Sequence, residues 1–247
     1  MYSFTSHVRY SEIGESMRMS IPSVIDYLQD CSTFQSESMG IGPGHAVESG
    51  LAWLLSDWRI EISCLPRFND EIRVSTWATA FKGLRAKRNF TICDADDTAQ
   101  ENPLVRADSA WFMFDANTGR VARVPQSESK PYMDDAANDA PLDMEPVARR
   151  ITVADEGEAA DPIVVTTSHI DTNHHVNNVQ YVSMALGVLG ESAPVAPLTL
   201  EVHYSYAAKL GDTIYPHVHH EELDGRPATI VTLDTEDGRP YATVRFS

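Results

Sequence analysis

Apolar residues recur at helical spacing in two stretches of the chain. Val24, Tyr27, Leu28 and Cys31 fall at i, i+3, i+4 and i+7, and Val182, Ala185, Leu186 and Leu189 repeat the pattern. Ser20 and Pro22 are start signals for the first helix, which should end near Gly40. Asn177 and Asn178 are favoured N-cap residues for the second, and Gly187 and Gly190 stand near its end. After each helix the pattern shifts to short β-like runs. The first helix is followed by residues 58–63, 71–80, 86–94, 104–114 and 120–124, the second by 198–206, 212–220, 228–234 and 240–246. Asp94-Ala-Asp-Asp97, Asp115-Ala-Asn-Thr-Gly119, Asp224-Gly225 and Asp237-Gly238 supply turn chemistry between them.

The order helix-then-strands therefore occurs twice. Thr5-Ser-His-Val8 and Thr167-Ser-His-Ile170 read alike ahead of the two helices, and each is followed by a polar loop. Ile60-Glu-Ile62 with Asn69-Asp70 echoes Leu200-Glu-Val202 with Gly211-Asp212. Residues 126–160, rich in Pro, Asp, Glu and Ala with little periodicity, read as a linker that wraps the surface. The expected class is α+β: two tandem units, residues 1–145 and 146–247, each with one long helix and an antiparallel sheet. Each sheet leaves an edge that needs covering, so the units should pair through their sheets.

Charge narrows the partners. Lys and Arg number 19 against 36 Asp and Glu, a formal net charge of −17. Residues 1–150 hold 15 cations and 22 anions, and residues 151–247 hold 4 and 14. Broad attraction to nucleic acid or to an anionic membrane is disfavoured. Lys82, Arg85, Lys87 and Arg88 are the local exception, either a solvated hairpin face or an anion-docking patch. The start lacks the basic-then-apolar pattern of a secretion signal, and no apolar run is long enough to cross a bilayer. Cys31, Cys64 and Cys93 are odd in number and lack CxxC spacing, as expected of a reduced cytoplasmic protein.

Chemistry concentrates in His169-Ile-Asp-Thr-Asn-His-His-Val-Asn-Asn-Val-Gln-Tyr181. Asp171, Asn173 and His175 alternate, so a locally extended backbone would aim all three side chains the same way. The helix behind them would offer unpaired N–H groups and a partial positive charge to an oxyanion. Each residue alone reads as a turn former or a structural hydrogen-bonder; their joint spacing ahead of a helix is what points to a site. The first copy, where the loop reads Arg9-Tyr-Ser-Glu-Ile-Gly-Glu15, lacks the constellation. His217-x-His-His220, with His203, raises a metal alternative, but no Cys or carboxylate stands at matching spacing and an exposed strand edge explains it as well. Neither a metal nor another cofactor is expected.

The run Asp171-x-Asn-x-His-Val-Asn-Asn-Val-x-Tyr181 resembles the signature of acyl–acyl-carrier-protein thioesterases. Trp58-Arg-Ile-Glu-Ile62, Pro66, Asn69-Asp70, Val74-Ser-Thr-Trp-Ala78, Arg106-Ala-Asp-Ser-Ala-Trp111 and Asp115-Ala-Asn-Thr-Gly-Arg120 with Pro125 are similar to the strand pattern of that family's first domain. The resemblance implies tandem hot-dog domains, with the active site largely in the second. It also implies hydrolysis of a fatty acyl thioester on an acidic acyl carrier protein, releasing free fatty acid. Asp171 is then expected as general base or nucleophile. Asn173 would hold the attacking water or the carbonyl, and His175 would donate to the substrate or orient Asp171. Backbone N–H groups of residues 176–179 would face the oxyanion. Asn177 and Asn178 are candidate substrate contacts, with loop fixing and helix capping as the competing role. Lys82, Arg85, Lys87 and Arg88 would meet the carrier or the phosphates of coenzyme A. Met17, Met19, Val24 and Leu28 are candidates for an acyl pocket in the first unit, or else ordinary core.

The chain departs from the family in one place. The strand after the catalytic helix there usually carries a Glu, and in plant members a neighbouring Cys. Here Ala207 and Ala208 align with those positions, or Ser205 and Tyr206 after a shift of two, and the second half has no cysteine. Competing expectations are therefore an acyl-coenzyme A thioesterase and a non-catalytic acyl- or carrier-binding protein. Pairing into a homodimer is a further expectation.

Overall fold

The Ser20 side chain accepts the N–H of Ser23 at 3.2 Å and so starts helix α1, Ile21–Ser38. Pro22 follows in the first turn, where its missing N–H costs nothing. The helix stops where Gly40 turns left-handed (φ 71°) and the Ile41 N–H reaches back to the Ser36 carbonyl at 3.0 Å. Val24, Leu28 and Cys31 on its apolar stripe are fully buried, and Tyr27 is nearly so.

This computed structural model describes residues 1–136, 139–148 and 150–247. Its contacts form two units. The first comprises Met1–Ser56 and Ile60–Val147; the second comprises Ala148–Ser247 with the short piece Asp57–Arg59.

In the first unit β1 (Tyr2–His7) precedes α1. After it come α2 (Pro43–Ser49), β2 (Leu51–Ile62), β3 (Glu71–Lys82), β4 (Arg85–Asp94), β5 (Val105–Asp115), β6 (Arg120–Ala122) and α3 (Gln126–Asp135). The strands lie in the order β1-β3-β4-β5-β2, with β6 paired to β5, and the β1–β3, β3–β4, β4–β5 and β5–β6 pairs are antiparallel. Helix α1 packs on β3 and β1. Ile72, Val74, Phe90, Ile92 and Val105 are fully buried. Each such side chain contributes roughly 1.5–3 kcal/mol.

The second unit opens with β7 (Glu158–Ala159) and β8 (Ile163–Val164), then α4 (Asn178–Leu189). Strands β9 (Leu198–Tyr204), β10 (Thr213–Leu223), β11 (Arg226–Asp234) and β12 (Pro240–Phe246) follow. Their order is β9-β12-β11-β10-β7, with β8 also on β10. Helix α4 lies on β10, β11 and β12 through Val182, Met184, Ala185 and Leu189, all buried. A helix on an antiparallel sheet in each unit is the expected α+β class.

Residues 126–160 are not simply a linker. They begin with α3, which the pattern misses because its one large buried side chain is Tyr132. That ring lies over the Arg88 guanidinium at 4.9 Å, and its hydroxyl is 2.7 Å from Ser36 Oγ. The segment then runs back along the sheet, as a wrapping strap should. Asn89 Oδ1 accepts the Leu142 N–H at 3.0 Å, and Asp108 Oδ2 accepts the Val147 N–H at 3.0 Å. Within this stretch Ala137, Asn138 and Arg149 lie outside the described residues.

Arg88, expected on a docking patch, is buried instead. Its guanidinium donates to Gln35 Oε1 and to Thr76 Oγ1 (3.2 Å), beneath the Tyr132 ring. Alternation along β4 puts it on the core face, which a run of four cations does not reveal. Removing it strands Oε1 of the fully buried Gln35, whose Nε2 keeps its bond to Asp135 at 2.7 Å. Arg88→Ala should therefore lower the unfolding free energy by about 2–4 kcal/mol in urea titrations. A loss below about 0.5 kcal/mol would place the side chain outside the core network.

Candidate active site

The stretch from Thr166 to Tyr181 builds one compact junction. A 3-10 turn, Thr167–His169, is boxed by the Thr166 N–H donating to His169 Nδ1 at 3.1 Å. Ile170 and Val176 then form an antiparallel bridge that closes a short loop between them. Inside it the Asp171 N–H donates to the His175 carbonyl at 2.8 Å and the His174 N–H to the Asp171 carbonyl at 3.1 Å. His174 sits at φ 61°.

The backbone is thus a tight turn, not the extended segment that alternation suggested. The reason is local: backbone bonds within the loop close it, and the short carboxylate adds bonds to neighbouring N–H groups. Asp171 Oδ1 accepts from the N–H of Asn173 (2.8 Å) and of His175 (3.3 Å), and Oδ2 accepts from Asn173 Nδ2 at 3.3 Å. Acid and amide are brought into contact. The His175 imidazole is half-buried and has no hydrogen-bond partner among the described residues, so no bond joins it to Asp171.

Helix α4 starts directly behind. Asn177 is its N-cap, with Oδ1 accepting the Val179 N–H at 3.1 Å, which commits that oxygen to capping. The expected row of free N–H groups is mostly occupied. Val176 donates to the Ala208 carbonyl and Asn177 to the His169 carbonyl, each at 2.9 Å, while Val179 is capped. Among the described residues, Asn178 alone in this run keeps an N–H without an acceptor, at the positive end of the helix. Of Ala207 and Ala208, aligned with the family's Glu and Cys, the first is exposed and the second is fully buried. The chain's three cysteines are free thiols. Burial pushes Cys31 up to about 12 and Cys93 up to about 11, so neither supplies a thiolate.

The first unit contains the same junction with different side chains. A 3-10 turn, Tyr10–Glu12, is boxed by the Arg9 N–H donating to Glu12 Oε2 at 2.8 Å. Ile13 and Met19 form the closing bridge, the Gly14 N–H meets the Arg18 carbonyl at 3.0 Å, and Met17 is left-handed at φ 57°. The Met19 N–H goes to the Pro66 carbonyl at 2.8 Å, and Ser20 caps the helix. Gly14, Ser16 and Arg18 therefore stand where Asp171, Asn173 and His175 do. The Thr-Ser-His echo misled: His7 lies on β1, whereas His169 ends a 3-10 turn. The constellation is still absent from the first unit, but the segment to compare is Gly14-Glu-Ser-Met-Arg18. Since glycine makes this turn without any carboxylate, Asp171 is not required by the backbone.

The remaining candidates scatter. Lys82 and Arg85 are exposed, but Lys87 is paired with buried Asp108 at 2.9 Å. Met19, Val24 and Leu28 are core residues, while Met17 is 48% exposed. His217 meets Asp234 at 3.0 Å and His219 meets Asp155 at 2.6 Å. Among the described residues no three His, Cys, Asp or Glu side chains converge as a metal site would require.

Residues 1–132 match the family model described as the acyl-ACP thioesterase N-terminal domain, and residues 153–246 the one described as the acyl-ACP thioesterase C-terminal domain. The chain is 28% identical over 202 residues to a chloroplastic palmitoyl-acyl carrier protein thioesterase of Arabidopsis thaliana, covering 76% of this chain and 46% of that protein. It is 23% identical over 192 residues to a chloroplastic oleoyl-acyl carrier protein thioesterase of Coriandrum sativum, covering 72% and 51%. The chain spans about half the length of the curated relatives it matches. Among solved structures, an acyl-ACP thioesterase from Bacteroides thetaiotaomicron superposes with a TM-score of 0.83 at 21% identity, covering 99% of this chain and 97% of that one. A 12:0-ACP thioesterase from Umbellularia californica gives 0.79 at 17% identity, covering 100% and 96%. At such identities the likeness shows the fold, the double hot-dog.

Because Gly14 makes the equivalent turn, Asp171→Ala should leave the protein folded. The expected loss in a urea melt is about 1 kcal/mol, that of a local side-chain cap. A loss above about 3 kcal/mol would mean that the carboxylate holds the loop together.

Proposed function

The chain belongs to the acyl-ACP thioesterase family, and from that premise we propose that it hydrolyses the thioester linking a fatty acyl group to an acyl carrier protein, releasing the free fatty acid. One observation carries the reading: an acid–amide pair, Asp171 and Asn173, shares one tight turn with half-buried His175 ahead of a helix N-terminus, and the turn needs no acid for its shape.

Among the described residues Asp171 Oδ2 accepts one bond, from Asn173, and so retains the capacity to take a proton from water. Asn173 Nδ2 has a second N–H with which to hold that water. As the water oxygen bonds to the acyl carbon, its proton passes to Asp171 and the carbonyl becomes an oxyanion. The Asn178 N–H at the start of α4 is placed to receive that charge, a contribution of roughly 3–4 kcal/mol for a well-aimed donor. The C–S bond then breaks. A thiol of pKa about 8.5 leaves readily, taking its proton from His175 or solvent.

Carrier encounter fits the far end of the first unit's sheet. Lys82 and Arg85 are register partners across the β3–β4 hairpin, a like-charge pair that disfavours itself until an anion arrives. Arg85 lies over the Phe112 ring at 5.0 Å, and the Val124 N–H bonds the Gly83 carbonyl at 3.4 Å, bringing exposed Arg123 beside the hairpin. Exposed Arg120 is near, and Leu84 and Val121 are each 47% exposed between these cations. The one acid in this group, Asp115, is committed to the turn N–H groups of Asn117 and Thr118. A basic, partly apolar patch on a chain of net charge −17 suits an acidic carrier. No described helix is long and apolar enough to cross a membrane, and the three free cysteines fit a reducing compartment.

Incubating the protein with acyl-carrier-protein and acyl-coenzyme A panels and following thiol release tests the activity. Asp171→Ala and His175→Ala should each lower kcat by about 100-fold or more. Faster turnover of the coenzyme A thioesters would reassign the substrate, and tight binding with no thiol release in the unaltered protein would make this a binding module. The double variant Lys82→Glu/Arg85→Glu should raise KM for the acyl carrier substrate about tenfold at low salt, an effect fading as salt rises. Hydrolysis of a small acyl thioester without the carrier should be unchanged, and an equal loss on both substrates would remove the patch from the encounter.

A further inference from the structure

Three phenols gather where β9 ends and α4 begins. Tyr204 donates its hydroxyl to the Asn178 carbonyl at 3.1 Å, and Tyr241 donates to Asp212 Oδ2 at 3.3 Å. The third, Tyr181, is 2% exposed and accepts the Ala208 N–H at 2.8 Å. Its own proton has no acceptor among the described residues. A buried hydroxyl normally both gives and receives.

The first unit shows that the architecture does not demand this phenol. Its strand-to-strand connection repeats that of the second bond for bond. The Val8 N–H meets the Asp70 carbonyl at 3.0 Å and the Asn69 N–H meets the Val8 carbonyl at 2.9 Å. In the second unit Val165 meets Asp212 at 2.9 Å and Gly211 meets Val165 at 3.0 Å. In Ala208's place stands Pro66, which has no N–H to satisfy. In Tyr181's place, four residues after the cap, stands Val24. The donor–acceptor pair Ala208 and Tyr181 is thus confined to the unit that carries Asp171.

We infer that the Tyr181 hydroxyl is a catalytic hydrogen-bond donor to the reacting thioester, at the strand end where the family pattern leads one to expect a carboxylate and the chain has Ala207 and Ala208. The inference rests on the thioesterase reading above. Burial pushes Tyr181 up to about 12 against the lowering pull of the Ala208 N–H, and Tyr241, Asp212 and Asp171 add to the rise. The group therefore keeps its proton at every working pH. It donates a hydrogen bond to the developing oxyanion or to the sulfur without transferring the proton.

The internal repeat supplies the control. Ala208→Pro removes the N–H that Tyr181 satisfies, as Pro66 does in the first unit, so Tyr181→Phe/Ala208→Pro leaves no stranded donor. If Tyr181 serves only Ala208, the double variant regains the kcat of Ala208→Pro. If it contacts substrate, the double variant melts near Ala208→Pro yet loses about tenfold or more in kcat, with KM changed by less than about twofold. A kcat within about twofold of Ala208→Pro overturns the inference. Should Ala208→Pro not fold, 3,5-difluorotyrosine at position 181 keeps the hydroxyl while strengthening it as a donor and weakening it as an acceptor; a changed kcat at constant KM with an unchanged melt supports the role, and an unchanged kcat overturns it. Asp171→Asn run alongside separates the two readings. If Asp171→Asn abolishes turnover while the Tyr181 variants keep theirs, this inference fails and the thioesterase site stands; if Asp171→Asn keeps full turnover, that site assignment fails instead.

Discussion

The Ala208 peptide group joins the pieces from which the second unit's site is made. Its carbonyl takes the Val176 N–H just after the turn, and its N–H goes to Tyr181 in the first turns of α4. Ala208 is wholly buried, so water cannot replace either bond, and each one lost would cost about 1–3 kcal/mol. That penalty makes the position of the turn a property of the sheet. The segment that leaves β9 carries the peptide, the peptide holds residue 176, and residue 176 sets where His175 and Asp171 come to rest.

The same constraint separates architecture from chemistry. Both units pin the loop before their helix to a carbonyl beyond the next strand, Pro66 in one and Ala208 in the other. Both close it with a bridge six residues apart in sequence and place one left-handed residue, Met17 or His174, within it. The side chains then go different ways. In the first unit Arg18 turns to the Leu65 carbonyl at 2.6 Å, whereas the second sets a carboxylate against an amide. A frame that tolerates Gly14 or Asp171 at one position leaves that position to chemistry.

Much of this was legible in the sequence where one residue type carries one physical role. Ser20 and Asn177 announce helix starts because short polar side chains cap N–H groups, and β12 was bounded as Pro240–Phe246 by its turn and its pattern. The first strands were less legible: β2 begins at Leu51, well before the apolar run that marked it, and β1 alternates weakly. Helix α3 carries too little apolar surface to show a period. The Asp-x-Asn-x-His spacing was visible, but its shape was not, because alternation assumes a strand while a backbone bridge between Ile170 and Val176 closes a turn there. Arg88 failed for the converse reason: charge suggested surface, while its place on β4 and the oxygens of Gln35 and Thr76 held it inside.

The same peptide limits what one of the two aligned alanines could be. Ala207 is exposed, but an acid at 208 would have to enter a site with no exposure, beside the buried Tyr181 and near Asp212 and Asp171. An ionised carboxylate there would be desolvated and repelled, a cost of several kcal/mol without a cation to offset it. Arg239 lies over the Tyr206 ring at 5.7 Å and its side chain bonds Asp237, while Lys209 bonds Asp212 through its N–H and not its ammonium. A neutral donor is the economical occupant of this environment. Tyr181 supplies one from the helix side, its hydroxyl already held by the Ala208 N–H, so the strand end can remain alanine while the site keeps a fixed dipole pointing at the reacting group.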